Sequence, residues 1–216
     1  MIINQHLQGK HPLWAITAAF GDNLQHSAAP LAKTLNLRPD ALKQLQKLGT
    51  YINYNGYGSC LEDLHFAPDK LYRELVHYAS PLDFIADKQP TFKQLEAGYL
   101  EDMQNAAQTQ PSYKTKSIAV YKLPNETWAK RVSGVFGNDL ANQYPGRAHA
   151  ILTDTSEGDY QVSVRAPLHN KTKADELCAS FPTGGGRKAA AGINHLPLAD
   201  VTRFIEKFNE TYSNMA

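Results

Sequence analysis

Cysteine is scarce in this chain. Cys60 and Cys178 are the only two in 216 residues, one in each half, which excludes a disulfide framework and a zinc site built on paired thiols and predicts reduced thiols. An excess of charge of one sign is lacking as well. Lys and Arg number 22 against 21 Asp and Glu, a formal net charge of +1, so a basic surface wrapped around a long nucleic acid is excluded while local basic patches are not. Long hydrophobic runs are absent too: nothing approaches the roughly 18 apolar residues that cross a bilayer. The opening stretch MIINQHLQGKHPLW is too polar for a signal peptide. A cytoplasmic protein with no membrane partner is the expectation. The eight histidines are scattered, with no H-E-x-x-H and no H-x-H string, so no ready-made metal motif is present.

The patterning is that of an α/β protein. A chain of this length buries about 70% of its unfolded surface, enough for a sizeable core. Residues 1–90 read as mainly helical, with amphipathic stretches at Ala28 to Leu35, Arg38 to Leu48 and Asp69 to Tyr78, punctuated by Pro30, Pro39, Pro68 and Pro81 near helix starts. Residues 91–112 read as a helical connector whose buried face is Phe92, Leu95, Tyr99 and Met103. Residues 113–216 change character. SIAVYKL, HAILTDT, YQVSVRA and AAGINHL are predicted strands, and Trp128 to Tyr144, Lys173 to Phe181 and Leu198 to Tyr212 are predicted helices. This is the pattern of an α/β layered domain of about 100 residues.

The run GGGRKAAAG, Gly184 to Gly192, is the strongest chemical signal. Three glycines permit backbone amides to converge on an anion, and Arg187 and Lys188 add charge at the rim, so Gly184, Gly185, Gly186, Arg187 and Lys188 are candidate phosphate-binding residues. A flexible turn between helix and strand is the alternative. His195 follows in the next predicted strand and is a candidate phosphate contact or a surface histidine. Upstream, YQVSVRAP ends on Arg165, whose planar fork suits a bidentate phosphate grip. Lys171 and Lys173 are read as solvated charges near the same loop. In AITAAFGDN, Ala15 to Asn23, Asp22 followed by Asn reads by itself as a helix N-cap. His26, four residues on, would share its helical face as an accessory metal pair.

These strings in this order resemble the DHH phosphoesterases and their DHH-associated domain, in the RecJ-like and oligonucleotide-degrading branch. SVRAP resembles the family's S-x-R strand end, and GGGRKAAAG its GGGH-x-x-A-A-G loop, with Arg187 standing where the family has histidine. RVSGVFGNDLANQYP is similar to the G-V-I-G-x-x-A-x-R-L helix start through Gly134, Val135, Gly137 and Leu140. GTYINYNGYG is similar to G-P-R-I-N-A-A-G-R-L through Gly49, Ile52, Asn53 and Gly56. Two family arginines there are Tyr51 and Tyr57, which would exchange phosphate clamps for base stacking. AITAAFGDN resembles a strand-end segment closing on a metal-binding aspartate, Asp22.

The resemblance implies a helical remainder of a DHH catalytic domain (1–90), a connector (91–112) and a smaller α/β substrate-binding domain (113–216), with substrate held between the two domains. It implies phosphodiester hydrolysis of nucleotides or short single-stranded oligonucleotides by manganese or magnesium. Arg165, the glycines, Arg187, Lys188, His195 and Asn53 would hold substrate, and Asp22 would bind metal only if other ligands are supplied. The family's D-x-D and DHH strings are absent from the 216 residues, so the chain resembles a family member without its first third. The expectation is a substrate-binding part that is catalytically incomplete by itself, either a homodimer or the partner of a separately encoded N-terminal half. A non-catalytic nucleotide- or RNA-binding module, and an acyl-transfer enzyme holding a cofactor on the glycine loop, are the other readings.

Overall fold

The computed structural model describes residues 2–213. Helices α1 (Ile2–His6), α2 (Pro12–Gly21), α3 (Gln25–Thr34), α4 (Pro39–Tyr54), α5 (Pro68–Leu75), α6 (Pro81–Asp87) and α7 (Gln89–Ala107) come first. Strands β1 (Tyr113–Lys114) and β2 (Ile118–Leu123), helix α8 (Thr127–Gln143), β3 (Ala148–Asp154), β4 (Asp159–Arg165), α9 (Ala174–Ala179), β5 (Gly184–Arg187), β6 (Ala190–Pro197) and α10 (Val201–Ser213) follow. The fold is mixed α/β, as the patterning predicts. Two compact units partition the chain, Met1–Glu101 and Asp102–Ala216, and the division falls within α7.

In the first unit Pro39, Pro68 and Pro81 each open a helix, where a missing N–H costs nothing. Pro30 instead lies inside α3, beyond the first turn. Helices α2 and α4 cross at two glycines. A Cβ on Gly49 would stand 2.0 Å from the Thr17 carbonyl oxygen, and one on Gly21 would stand 2.8 Å from that of Gly49, so this approach of backbones requires glycine. Around the crossing lie two apolar clusters. Ile16, Phe20, Ala28 and Leu45 form one, and Leu48, Tyr51, Phe84 and Leu95 the other. Tyr51 is therefore core: its ring sits 5.6 Å from that of Phe92 and its hydroxyl donates to Glu96. Base stacking by Tyr51, expected from the sequence, is excluded by burial.

The second unit is a six-stranded sheet in the order β1-β2-β3-β4-β6-β5. The β2–β3 pair is parallel, connected through α8, and every other pair is antiparallel. Alternation along β4 decides which side chain goes where. Tyr160, Val162 and Val164 point into the main core with Phe204, Phe208 and Tyr212 of α10, while Asp159, Gln161, Ser163 and Arg165 take the other face. Helix α8 packs on that other face, where Phe136 meets Tyr121 edge to face at 5.4 Å. The buried Asp102 carboxylate accepts two hydrogen bonds from Arg131, at 2.8 and 3.0 Å. Among the described residues no helix is long and apolar enough to cross a membrane.

Candidate functional site

Arg165 ends β4, and the string Ser163-Val164-Arg165 puts serine and arginine on one face. Its Nη1 donates to Ser163 Oγ at 2.9 Å and to the Val164 carbonyl at 3.2 Å. Nε donates to Asn138 Oδ1 at 2.8 Å, and Nη2 to the Gly134 carbonyl at 3.2 Å. Gly137 gives this side chain room, since a Cβ there would press on Arg165 Cγ at 3.4 Å. Two of the segments that carry the sequence resemblance in this unit, SVRAP and RVSGVFGNDLANQYP, thus meet at one point. The guanidinium fork fastens β4 to α8 with donors turned to protein acceptors, rather than standing open as a bidentate phosphate clamp.

The glycine run is a strand, not a loop. Gly184 to Arg187 form β5, the sheet edge, and a two-residue turn at Lys188 and Ala189 returns the chain as β6. Glycine is required at 184, where a Cβ would collide with the Cys178 carbonyl oxygen at 1.8 Å. It is also required at 186, where φ is +146° and a Cβ would stand 2.5 Å from Ala191 Cα. At 185 a Cβ meets nothing within 4 Å. The triplet is explained by close packing onto α9 and by backbone geometry. As an edge strand it turns alternate amides away from β6, and of these the Gly184 amide is already spent on the Phe181 carbonyl at 3.0 Å.

The turn does bring basic residues together. The Ala166 amide donates to the Ala189 carbonyl at 3.0 Å, and the Ala174 amide to that of Lys188 at 3.0 Å. The end of β4, the β5–β6 turn and the approach to α9 therefore converge. Lys171, Lys173, Arg187 and Lys188 are all exposed here, and none is in an ion pair among the described residues. Asp175 and Glu176, in the first turn of α9, are the nearby acids in sequence. A cavity of about 470 Å³ in the same unit is lined by Lys116, Tyr144, Arg147 and His169 with no carboxylate. His149 stands directly opposite Arg165 in the β3–β4 register. It is fully buried, and neither ring nitrogen meets a hydrogen-bond partner. Burial, helped by the Arg147 charge and opposed by the Arg147 main chain, pulls its pKa down to about 4. Its signal in the sequence is a histidine inside the predicted strand HAILTDT.

His195 is placed away from this cluster. It sits on β6 five residues beyond Ala190, the partner of Arg165, so roughly 17 Å along the strand separates the two positions. It is not beside the turn as its place in sequence suggested. There its Nδ1 lies 2.9 Å from Asp159 Oδ2. Glu157, Asp159 and His195 bring their ligand atoms within 4.8 Å of one another and are the one such group of potential metal ligands among the described residues. A hydrogen bond from Thr155, opposed by burial and reinforced by His195, holds the Asp159 carboxyl below the usual range.

Asp22 and Asn53 belong to the first unit and line one cavity of about 890 Å³. The two segments resembling family motifs there are adjacent through the α2–α4 crossing. The segment Ala15 to Gly21 is helix, however, where the resemblance implies a strand end. Asp22 caps the C-terminus of α2 rather than the N-terminus of α3, whose N-cap is Leu24. Because Asp22 precedes α3, His26 shares no helical face with it. Asp22 is the one carboxylate in the described cavity wall, which is otherwise mostly apolar, with Trp14, Ile52, Leu75 and Val76. Two divalent ions need several anionic ligands, so this wall does not fit the manganese or magnesium pair that the resemblance implies.

No family model matches the sequence, and no curated protein matches it. Solved structures do. The pGpG-specific phosphodiesterase PggH from Vibrio cholerae superposes with a TM-score of 0.53 at 12% identity, covering 81% of this chain and 58% of that one. An exopolyphosphatase-related protein from Bacteroides fragilis gives 0.45 at 16% identity, covering 90% of this chain and 57% of that one. The chain thus spans little over half the length of either. What it shares with the phosphodiesterase is an α/β fold.

Proposed function

We propose that this chain is the substrate-holding part of a DHH-type phosphoesterase, binding nucleotides or short single-stranded oligonucleotides by their phosphates. The observation that carries the reading is the basic end of the second unit, where Lys171, Lys173, Arg187 and Lys188 stand exposed and unpaired around the turn that meets the end of β4. Phosphate is the anion that such a cluster of cations is suited to hold. The order of family-like strings along the chain and the fold shared with a phosphodiesterase support the same reading. Arg165 acts in it as a positioning residue that fixes the strand end against α8.

Binding without turnover is the expected behaviour of the chain alone, because Asp22 is the single carboxylate in the described wall of its cavity. This favours the second reading, a nucleotide- or RNA-binding module without chemistry, for the isolated chain. One experiment addresses both. Binding and manganese-dependent hydrolysis of a short single-stranded oligonucleotide are measured for the wild type, Asp22→Ala and the double variant Arg187→Ala/Lys188→Ala. The expected result is no hydrolysis, with binding weakened about tenfold in the double variant only. Hydrolysis abolished by Asp22→Ala would establish a working metal site and overturn the incomplete-site reading. Equal affinity in the double variant would remove the basic end as the binding surface.

A further inference from the structure

The turn between β3 and β4 and the far end of β6 carry the group Glu157, Asp159 and His195, which has no part in the phosphate-binding reading. How the backbone assembles it is informative. The β4–β6 register slips between Tyr160 and Val162, since Tyr160 pairs with Leu196 and Val162 with Ile193. One extra residue on β6 is accommodated there, and a bulge of this kind re-aims side chains. Ile193 and Leu196 both point into the core. Without the bulge strict alternation would send residue 195 inward with Ile193; with it, His195 emerges beside Asp159. Thr183 clamps the histidine backbone, its Oγ1 accepting from the His195 amide at 2.8 Å and donating to its carbonyl at 3.0 Å. Thr155 Oγ1 bonds the other Asp159 oxygen and accepts from the Glu157 amide at 3.2 Å. The main chain of that turn closes through the Thr155 amide to the Asp159 carbonyl at 3.0 Å, with Gly158 at φ +79°.

We propose that Glu157, Asp159 and His195 form a binding site for one divalent transition-metal ion of the zinc type, fastening the β3–β4 turn to β6. The His195–Asp159 pair is close to the spacing of two ligands on such an ion. Two ligand atoms about 2.1 Å from one metal lie roughly 3.0 to 3.4 Å apart, and His195 Nδ1 and Asp159 Oδ2 are already at 2.9 Å. Glu157 completes the set from the exposed turn, and water takes the remaining position, as at three-ligand zinc sites. One imidazole with two carboxylates selects a borderline ion over magnesium or calcium, which favour all-oxygen shells. The side chain of Asp159 is held on both oxygens and the backbone of His195 on both sides, so the two ligands are positioned before the ion arrives.

The test is titration of the full chain with zinc and, separately, with magnesium, by calorimetry in a non-coordinating buffer. His195→Gln and Glu157→Gln are measured beside the wild type, and Cys60→Ser controls for the exposed thiol. One equivalent of zinc is expected, with affinity at least tenfold weaker in His195→Gln, several-fold weaker in Glu157→Gln and unchanged in Cys60→Ser. Histidine side-chain nitrogen spectra should show His195 as the ring that shifts. Unchanged zinc affinity in both ligand variants, no stoichiometric binding, or equal affinity for magnesium would each overturn the proposal. Both variants lie at exposed positions, so folding is not expected to obscure the result.

Discussion

The two ends of β4 make opposite uses of one strand face. Six residue steps, roughly 20 Å, separate Arg165 from Asp159. At the Arg165 end cations gather: Lys173, Arg187 and Lys188 stand exposed and unpaired, and the one histidine on that face, His149, is buried and kept neutral. At the Asp159 end acids gather, and the histidine there, His195, is exposed and pointed at a carboxylate. A net charge of +1 conceals this separation entirely. What the difference teaches is that local charge is set by position along the sheet and not by composition. On the proposed readings, one end takes phosphate anions and the other a cation.

Both ends depend on the same edge strand, and the largest expected effect follows from that. The tip of the β5–β6 hairpin presents Arg187 and Lys188, and the base of β5 presents Thr183, which clamps His195. Between them Gly184 seats the strand on the carbonyl of Cys178. Gly184→Ala should cost about 3 kcal/mol in urea denaturation, because backbone and not a flexible side chain blocks the new Cβ. Gly185→Ala, whose Cβ meets open space, should change stability by less than about 0.5 kcal/mol. Equal effects of the two substitutions would break the claim that both ends hang on this seat.

The same strand shows what was legible in the sequence. Alternation in YQVSVRAP gave the strand and its two faces, because the period of a strand is fixed by backbone geometry. Proline at helix starts gave three helix boundaries in the first unit for an equally local reason. The glycine run has no unique reading in sequence, since glycine marks both loops and close approach of backbones, and only the position of the Cys178 carbonyl distinguishes them. AITAAFG was read through its resemblance as a strand end, although a short apolar run has no decisive period. The group at Glu157 and His195 was invisible, because it depends on a bulge that brings together residues nearly forty positions apart. For the candidate site, the sequence puts His195 with the basic residues of the turn, as chain order alone cannot show which end of a strand a residue faces.

The two histidines supply the next prediction. His149 is uncharged when folded until about pH 4, whereas in the unfolded chain it titrates near 6.5. The unfolded state therefore binds the extra proton first. The stability tied to the neutral ring is fully present above about pH 6.5 and is lost as pH falls towards 4, a difference on the order of 3 kcal/mol. His149→Leu should flatten that arm of the stability curve, measured by denaturant midpoints across the range. An arm of unchanged steepness in His149→Leu would mean that another group dominates acid unfolding.

The smallest effect is the sharpest on the separation of charge. If oligonucleotide is held at the Arg165 end, releasing counterions from its phosphates, the logarithm of the binding constant falls with the logarithm of salt by roughly 0.7 per contact on a single strand. Arg187→Ala/Lys188→Ala should reduce that slope by about 1.4. Its unfolding midpoint should move little, because both side chains are exposed and unpaired. Glu157→Gln and His195→Gln, on the same sheet but at the other end, should leave the slope as it is: roughly 20 Å exceeds the Debye length of about 8 Å at physiological salt, so their charges are screened from the phosphates. A slope that responded equally to substitutions at both ends would mean that the ligand spans the strand, and the assignment of one ligand to each end would fall with it.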